Sequence, residues 1–363
     1  MTKFLVASLL LMSISASAQL ATRLDSLMQS TAKANQPGSA LIVMIDGKEI
    51  YSKGYGLANV NLKSAITSET NFRMASVSKQ FTAMGILLLE KGGKLSLDDP
   101  LLRFFPEFTG TVGRNVLVRH MLTHSSGLLD YESAMDPNQQ KQVLDADVLT
   151  LLKNRDSLYF EPGSQFRYSN SAYCLLALII ERVSGKPYAT FVKERIFRPL
   201  NMTRSIVYEA SQSIPNRAMG YRLDKNDTFT FSDQSVTSAT KGDGGVYTSL
   251  DDYRKWIEAL ANNTLPDLTT TLIRTGKPIS SAPDSYYGAG WFYRQPSDPI
   301  LFHSGSTCGF NNYVVFIPKK RFLMAYFANR ATNKANAEAI THLLSEAGYP
   351  NVAAILRLDE LTQ

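Results

Sequence analysis

The sequence predicts an α+β arrangement within the broad α/β class: a mostly antiparallel sheet built from both chain ends, flanked by helices, with an all-helical lobe inserted between. Three observations carry this. Apolar runs of strand length cluster at residues 39–55 and again at 287–328, helical periodicity dominates roughly 76–260, and an Asp46-Gly47 pair separates the first two runs as a hairpin turn would. Strands at opposite ends of a chain share one sheet only if the middle folds as an excursion, so the expected division is 19–75 with 241–363 for the sheet and 76–240 for the lobe. A site is expected where the two meet. The composition agrees: 363 residues, 44% hydrophobic and 19% charged, describe a globular chain and exclude disorder, a fibre or a membrane bundle.

Taken in order, residues 1–18 read as a secretory signal peptide. Lys3 supplies a short positive start, Phe4 to Ile14 an apolar core too short to span a bilayer comfortably, and Ala16-Ser17-Ala18 before Gln19 a small-residue cleavage site. The expected location is therefore periplasmic or secreted, with cleavage after Ala18 and no membrane span afterwards. Leu20, Leu24, Leu27 and Met28 keep helical spacing until Pro37-Gly38. Ser39–Ile45 and Lys48–Tyr55 form the first strand pair. Helical patterns follow at Ser76–Lys91, Val116–Thr123, Val143–Lys153, Ser171–Ser184, Tyr188–Ile196 and Leu250–Ala261, with 212–240 and 262–285 read as long polar loops. Strands at Tyr287–Tyr293, Ile300–His303, Asn312–Ile317 and Phe322–Ala328 and a helix over 333–347 complete the chain.

The formal net charge of +6 does not indicate a nucleic-acid partner, because the 38 Lys and Arg are scattered and the one tight cluster, Lys319-Lys320-Arg321, falls where a hairpin turn is expected. Two cysteines exclude a disulfide scaffold, and no H-E-x-x-H or C-x-x-C pattern is present. The expected partner is a small-molecule or peptide substrate.

Chemistry concentrates in three short motifs. Ser76-Val77-Ser78-Lys79 opens an apolar run through Phe81, Met84 and Leu87–Leu89, so Ser76 and Lys79 share a face of a buried helix. A lysine withdrawn from water can act as a base toward a serine hydroxyl, and free N–H groups at the helix start suit an oxyanion. The same spacing recurs at Ser30/Lys33 and Ser238/Lys241, neither opening a long buried helix, so context decides. Tyr168-Ser169-Asn170 follows the Glu161-Pro162-Gly163 turn and leads into a second apolar helix: a tyrosine for proton transfer and an asparagine for a substrate amide. Tyr349-Pro350-Asn351 repeats that triplet elsewhere. His303-Ser304-Gly305 ends a strand, with Ser306 after it, and its glycine admits a substrate backbone.

Together these motifs resemble the serine β-lactamase and penicillin-binding-protein-like hydrolases, in particular the branch of class C β-lactamases, DD-peptidases, D-aminopeptidases and related esterases. The resemblance extends over nearly all of the chain beyond the leader, through Phe72–Lys79, Leu95–Pro100, His120–Leu128, Glu161–Asn170 and Gly244–Ser249. It implies a β-lactamase/transpeptidase-like fold and acyl-enzyme chemistry. Ser76 is then the nucleophile, and Lys79 and Tyr168 share its proton and that of the leaving group. Asn170, His303, Ser304, Gly305 and Ser306 contact substrate, and the N–H groups of Ser76 and Ser306 form the oxyanion hole. No metal or cofactor is implied. The chain departs from many β-lactamases in having His303 where they have a lysine. A histidine is mostly neutral at neutral pH, which weakens carboxylate attraction and favours the peptidase side of the family.

Other residues read as structural. His124 and Ser126 fall in a framework loop, Glu161 in a turn, Cys174 in a buried helix and Cys308 in a loop; pairing of the two cysteines is permitted by an oxidising compartment but not implied. The expected function is an exported serine hydrolase of amides or esters: a D-amino-acid peptide, a small ester or a β-lactam. The rival is a non-catalytic member of the fold that binds peptides or cell-wall fragments, a role that has no need of Ser76, Lys79, Tyr168 and His303 together.

Overall fold

The computed structural model describes residues 2–33, 35–210, 212–331, 334–349 and 356. Its centre is an eight-stranded sheet. Two strands come from the N-terminal part, Ser39–Ile45 (β1) and Lys48–Tyr55 (β2). Six come from the C-terminal part: Lys277–Pro278 (β3), Ser285–Gly288 (β4), Trp291–Arg294 (β5), Ile300–Thr307 (β6), Phe310–Ile317 (β7) and Phe322–Ala328 (β8). The spatial order is β3-β4-β5-β6-β7-β8-β1-β2, and every neighbouring pair is antiparallel. The junction between the chain halves is the β1–β8 ladder, in register from Ser39 opposite Ala328 to Met44 opposite Leu323. Both strands are buried along almost their whole length, so both faces of the sheet are covered.

One cover is the helix Thr2–Thr31 (α1), which packs on β2 and on the C-terminal helix. It runs without a break past Ala18, the expected cleavage point, and Leu20, Leu24 and Met28 beyond that point are buried. The C-terminal helix is Lys334–Glu346; Asn333, where the sequence pattern would begin it, lies outside the described residues. Among the described residues no helix is long and apolar enough to cross a membrane. A second cover, the helix Leu250–Ala261, is capped by Ser249 and packs on β1 and β8.

The excursion from the sheet is built around two helices, Lys79–Lys91 (α2) and Asn170–Ser184 (α3), and α3 is buried continuously from Ser171 to Ile180. They approach closely at Gly85, where a Cβ would stand 2.7 Å from the Ile180 Cδ1. The segment 76–240 is not helical throughout: it also carries the short strands Ile206–Val207, Tyr221–Leu223 and Phe229–Phe231. A three-stranded ribbon of Phe72–Arg73, Val246–Thr248 and Ile206–Val207 holds the excursion's two ends together.

Two expectations are corrected. Tyr287–Tyr293 is not one strand; Ala289 and Gly290, at φ 48° and 82°, make a tight hairpin between β4 and β5. An alanine is a poor residue for φ > 0, so the aromatic alternation read straight through the turn. The polar stretch 262–285 contains a helix, Leu268–Thr275, whose Asp267 cap accepts the Thr270 N–H, and the short strand β3. Its threonine run has weak helix propensity, which hid the element. The 212–240 stretch likewise holds a hairpin and an ion pair between the half-buried Arg217 and the buried Asp233.

Candidate active site

The site forms where the ribbon hands over to α2. Arg73 ends its strand, Ala75 takes a left-handed φ of 49°, and a 3-10 turn over Ala75–Ser78 leads into the helix. A non-glycine residue in this region is strained, and two bonds hold it: the Met74 N–H donates to Val246 O, and the Val246 N–H donates to Ser78 Oγ. Ala75, Val77 and Ser78 are buried, while Ser76 alone of the turn is partly open. First-turn N–H groups of such a turn have no partner within it, so the Ser76 N–H sits at an electropositive end.

Lys79 is fully buried. Its Nζ lies 3.1 Å from Ser76 Oγ, 2.8 Å from Asn170 Oδ1 and 3.0 Å from the Asp243 carbonyl. As an ammonium it donates to all three. As an amine it donates to Asn170 and Asp243 and offers its lone pair to the Ser76 hydroxyl. Either state leaves no polar atom of this group stranded, which is what a residue that exchanges a proton requires.

Asn170 is set by its cap. The Ser169 side chain accepts the Ala172 N–H and starts α3, so Asn170 projects from the first position of that helix. Its Nδ2 donates to Glu132 Oε1 at 2.8 Å, fixing which end faces Lys79. Withdrawal from water raises the Glu132 carboxyl above its ordinary range, more than the Asn170 bond lowers it.

Tyr168 stands on the opposite side. Its ring centroid is 4.9 Å from Lys79 Nζ and it stacks on Phe292 at 6.2 Å with the planes within 9°. The hydroxyl is buried and has no hydrogen-bond partner among the described residues. An orphaned buried hydroxyl is costly, and beside a reactive serine it is available to a substrate atom or a proton in transit.

The third motif ends β6. β5 pairs only with Ile300–Phe302, so beyond Phe302 the strand's second side is free of β5 and lies against the Ser76 turn. Gly305 makes this approach possible: a Cβ there would fall 2.2 Å from the Met74 carbonyl. Ser304 is half-buried and Ser306 exposed. His303 differs from expectation. It is 1% exposed, its Nδ1–H donates to the Ser304 carbonyl at 2.6 Å, and its Nε2 accepts from the Tyr287 hydroxyl at 3.1 Å. With both nitrogens engaged, the ring supports the strand from beneath rather than meeting substrate directly. Burial pushes its pKa down to about 3, so it is neutral even in mild acid.

The structure therefore brings Ser76, Lys79, Tyr168, Asn170 and the 303–306 strand end together. Glu161 shapes its turn through its carbonyl, which accepts from Ser164. Cys174 and Cys308 are free and buried. Sequence reasoning missed Glu132, Asp243 and Tyr287: the first two lie outside any short motif, and Asp243 contributes only a backbone carbonyl, which leaves no side-chain signature.

Over 340 residues the chain is 29% identical to Penicillin-binding protein 4* of Bacillus subtilis (strain 168), covering 87% of this chain and 73% of that one. It is 27% identical to Protein flp of Staphylococcus aureus (strain N315), spanning 89% of this chain but only 66% of that relative's length. The fold matches that of the D-amino acid amidase from Ochrobactrum anthropi SV3 complexed with L-phenylalanine amide, with a TM-score of 0.73, 24% identity and coverage of 92% and 97%. The model of the Beta-lactamase family matches residues 21–348, taking in the serine turn, the tyrosine motif and the β6 strand end alike, and the chain belongs to that family.

Proposed function

We propose that the protein is an exported serine hydrolase that works through an acyl-enzyme on Ser76, with amides or peptides of D-amino acids and small esters as its substrates. The observation that carries this reading is the 3.1 Å contact between Lys79 Nζ and Ser76 Oγ inside a buried, fully partnered lysine environment. Ser76 Oγ attacks the substrate carbonyl carbon as its proton passes to Lys79 or Tyr168. The oxyanion is received by the N–H groups of Ser76 and Ser306, and Asn170 orients the substrate amide. Collapse of the tetrahedral intermediate breaks the bond to the amine or alcohol, which leaves with that proton. Water then attacks the acyl carbon, passing a proton to Lys79 or Tyr168; the bond from Ser76 Oγ to the acyl carbon breaks, Oγ takes the proton back and the carboxylic acid leaves. Similarity in fold to a D-amino acid amidase supports the substrate class, as does the neutral His303, which offers no charge to a substrate carboxylate.

The test is intact-protein mass spectrometry after incubation with a fluorophosphonate, D-amino acid amides, p-nitrophenyl esters and a chromogenic cephalosporin. Ser76 is expected to carry the adduct, and Ser76→Ala to lose labelling and to lose turnover on the order of 10⁴-fold or more. Retained turnover in that variant refutes the assignment. The same spectra from protein exported by a bacterial host are expected to show a chain starting at Gln19.

A further inference from the structure

We propose that His124 is a positioning residue for Tyr168: it fixes the chain on both sides of the tyrosine and packs against its ring, as a neutral imidazole. The inference rests on the reading of Tyr168 as a proton-transfer residue and adds what holds it there.

Three contacts converge on one residue. The Arg167 N–H donates to the His124 carbonyl at 2.8 Å, and the Ser169 N–H donates to His124 Nδ1 at 3.1 Å, so the residues before and after Tyr168 are both anchored to His124. The imidazole lies 4.1 Å from the Tyr168 ring centroid, closer than any other ring around that tyrosine. Because Nδ1 accepts a bond, the ring proton of the neutral imidazole must sit on Nε2, and Nε2 is buried with no partner among the described residues. Such an arrangement, with a left-handed backbone at φ 53° and a stranded N–H, is not what a loop residue needs to fill space.

The surroundings keep the ring neutral. His124 is fully buried between Tyr168, Tyr173 and Tyr287, with Phe166 at its edge, and Lys79 and His303 are the cationic or titratable groups that act on it from α2 and β6. Protonation at Nδ1 would abolish the Ser169 bond and set a second cation beside Lys79. A neutral ring does neither.

Two variants separate the contacts. His124→Phe keeps a ring and loses the Nδ1 acceptor. His124→Asn loses the ring, places an acceptor where Nδ1 was, and suits the left-handed backbone. Each is compared with wild type and Tyr168→Phe by circular dichroism, fluorophosphonate titration of active serines, kcat and KM on a p-nitrophenyl ester, and the pH profile of kcat/KM. Expected for His124→Phe, per titrated serine, is a fall in kcat of ~10–100-fold with KM within ~3-fold and a displaced pH profile, since misplacement by about 1 Å costs rate on that scale. His124→Asn is expected to recover most of that loss. Wild-type kcat and pH profile in folded His124→Phe overturn the inference, as does a loss that disappears once active serines are counted. If Tyr168→Phe is itself fully active, the reading of Tyr168 fails first. If it is impaired while both His124 variants are not, only the role of His124 fails.

Discussion

The two walls of the cleft are built on opposite terms. On the α2 side, Lys79, Asn170 and Glu132 form a chain of hydrogen bonds in which each link is partnered, ending on the Asp243 carbonyl. On the β4–β6 side, Tyr168, His124, Tyr287, Phe292 and His303 form an aromatic cluster in which the Tyr168 hydroxyl and His124 Nε2 have no hydrogen-bond partner among the described residues. The first wall satisfies Lys79 Nζ with three bonds, and the second excludes water from the Tyr168 hydroxyl. A reaction that passes a proton from serine to leaving group needs both: a fixed donor set and an uncommitted acceptor.

The largest expected effect, after loss of the serine itself, is removal of the charge from the first wall. Lys79→Met leaves Asn170 Oδ1 and the Asp243 carbonyl without their donor, and kcat/KM on an activated ester is expected to drop on the order of 10³-fold or more. Tyr168→Phe acts on the second wall. It removes a hydroxyl that makes no bond, so thermal stability should be unchanged or slightly improved, while kcat falls by ~10²–10⁴. If the walls serve one proton path, the double variant loses little more than Lys79→Met alone; full additivity in a double-mutant cycle would separate them.

The partnered wall was the more legible in the sequence. Ser76 and Lys79 announce themselves by spacing on an apolar helix, and Asn170 by its place at a capped helix start, because local periodicity fixes these positions. The sheet was legible for the same reason: β1 and β8 are continuous apolar runs bounded by turn residues, and the Asp46-Gly47 turn pairs the mixed strand β2 with β1. The aromatic wall is assembled from β4, β5, β6 and two loops far apart in sequence, and no local pattern predicts that Tyr287 will meet His303 or that His124 will meet Tyr168. His303 shows the limit well. Its motif was visible, yet its burial and the loss of both ring nitrogens to Ser304 and Tyr287 follow from the β4–β5 hairpin, whose Ala289-Gly290 turn did not read as one.

A third prediction concerns the contact that brings the walls together. Gly305→Ala would press a Cβ on the Met74 carbonyl, so either β6 or the strained Ala75 turn must give way. A destabilisation of ~1–3 kcal/mol in urea melts is expected, with a loss of kcat larger than that of stability, because the shift falls on the oxyanion groups. Loss of stability with normal kcat would mean that the turn, not the strand, sets the oxyanion geometry.

The smallest effect distinguishes the walls by pH. On the partnered side, Asp145 accepts the Lys241 and Gly242 N–H groups, yet burial, with Asp243 nearby, pushes its pKa up to about 7. A carboxyl raised in the folded state stabilises it fully below the unfolded value near 4, and that contribution is lost as pH rises through about 7. On the aromatic side, His303 is depressed to about 3, so its contribution is complete above the unfolded value near 6.5 and is lost as pH falls toward 3. Acidification from pH 8 to 5 should therefore strengthen one wall and weaken the other. His124, which burial also holds neutral, acts in the same direction as His303. In urea melts across that range Asp145→Asn is expected to lose more stability on acidification than the wild type, and His303→Gln to lose less than the wild type or to gain. Equal slopes in all three proteins would mean that neither group titrates differently on folding, and the electrostatic contrast between the walls would be void.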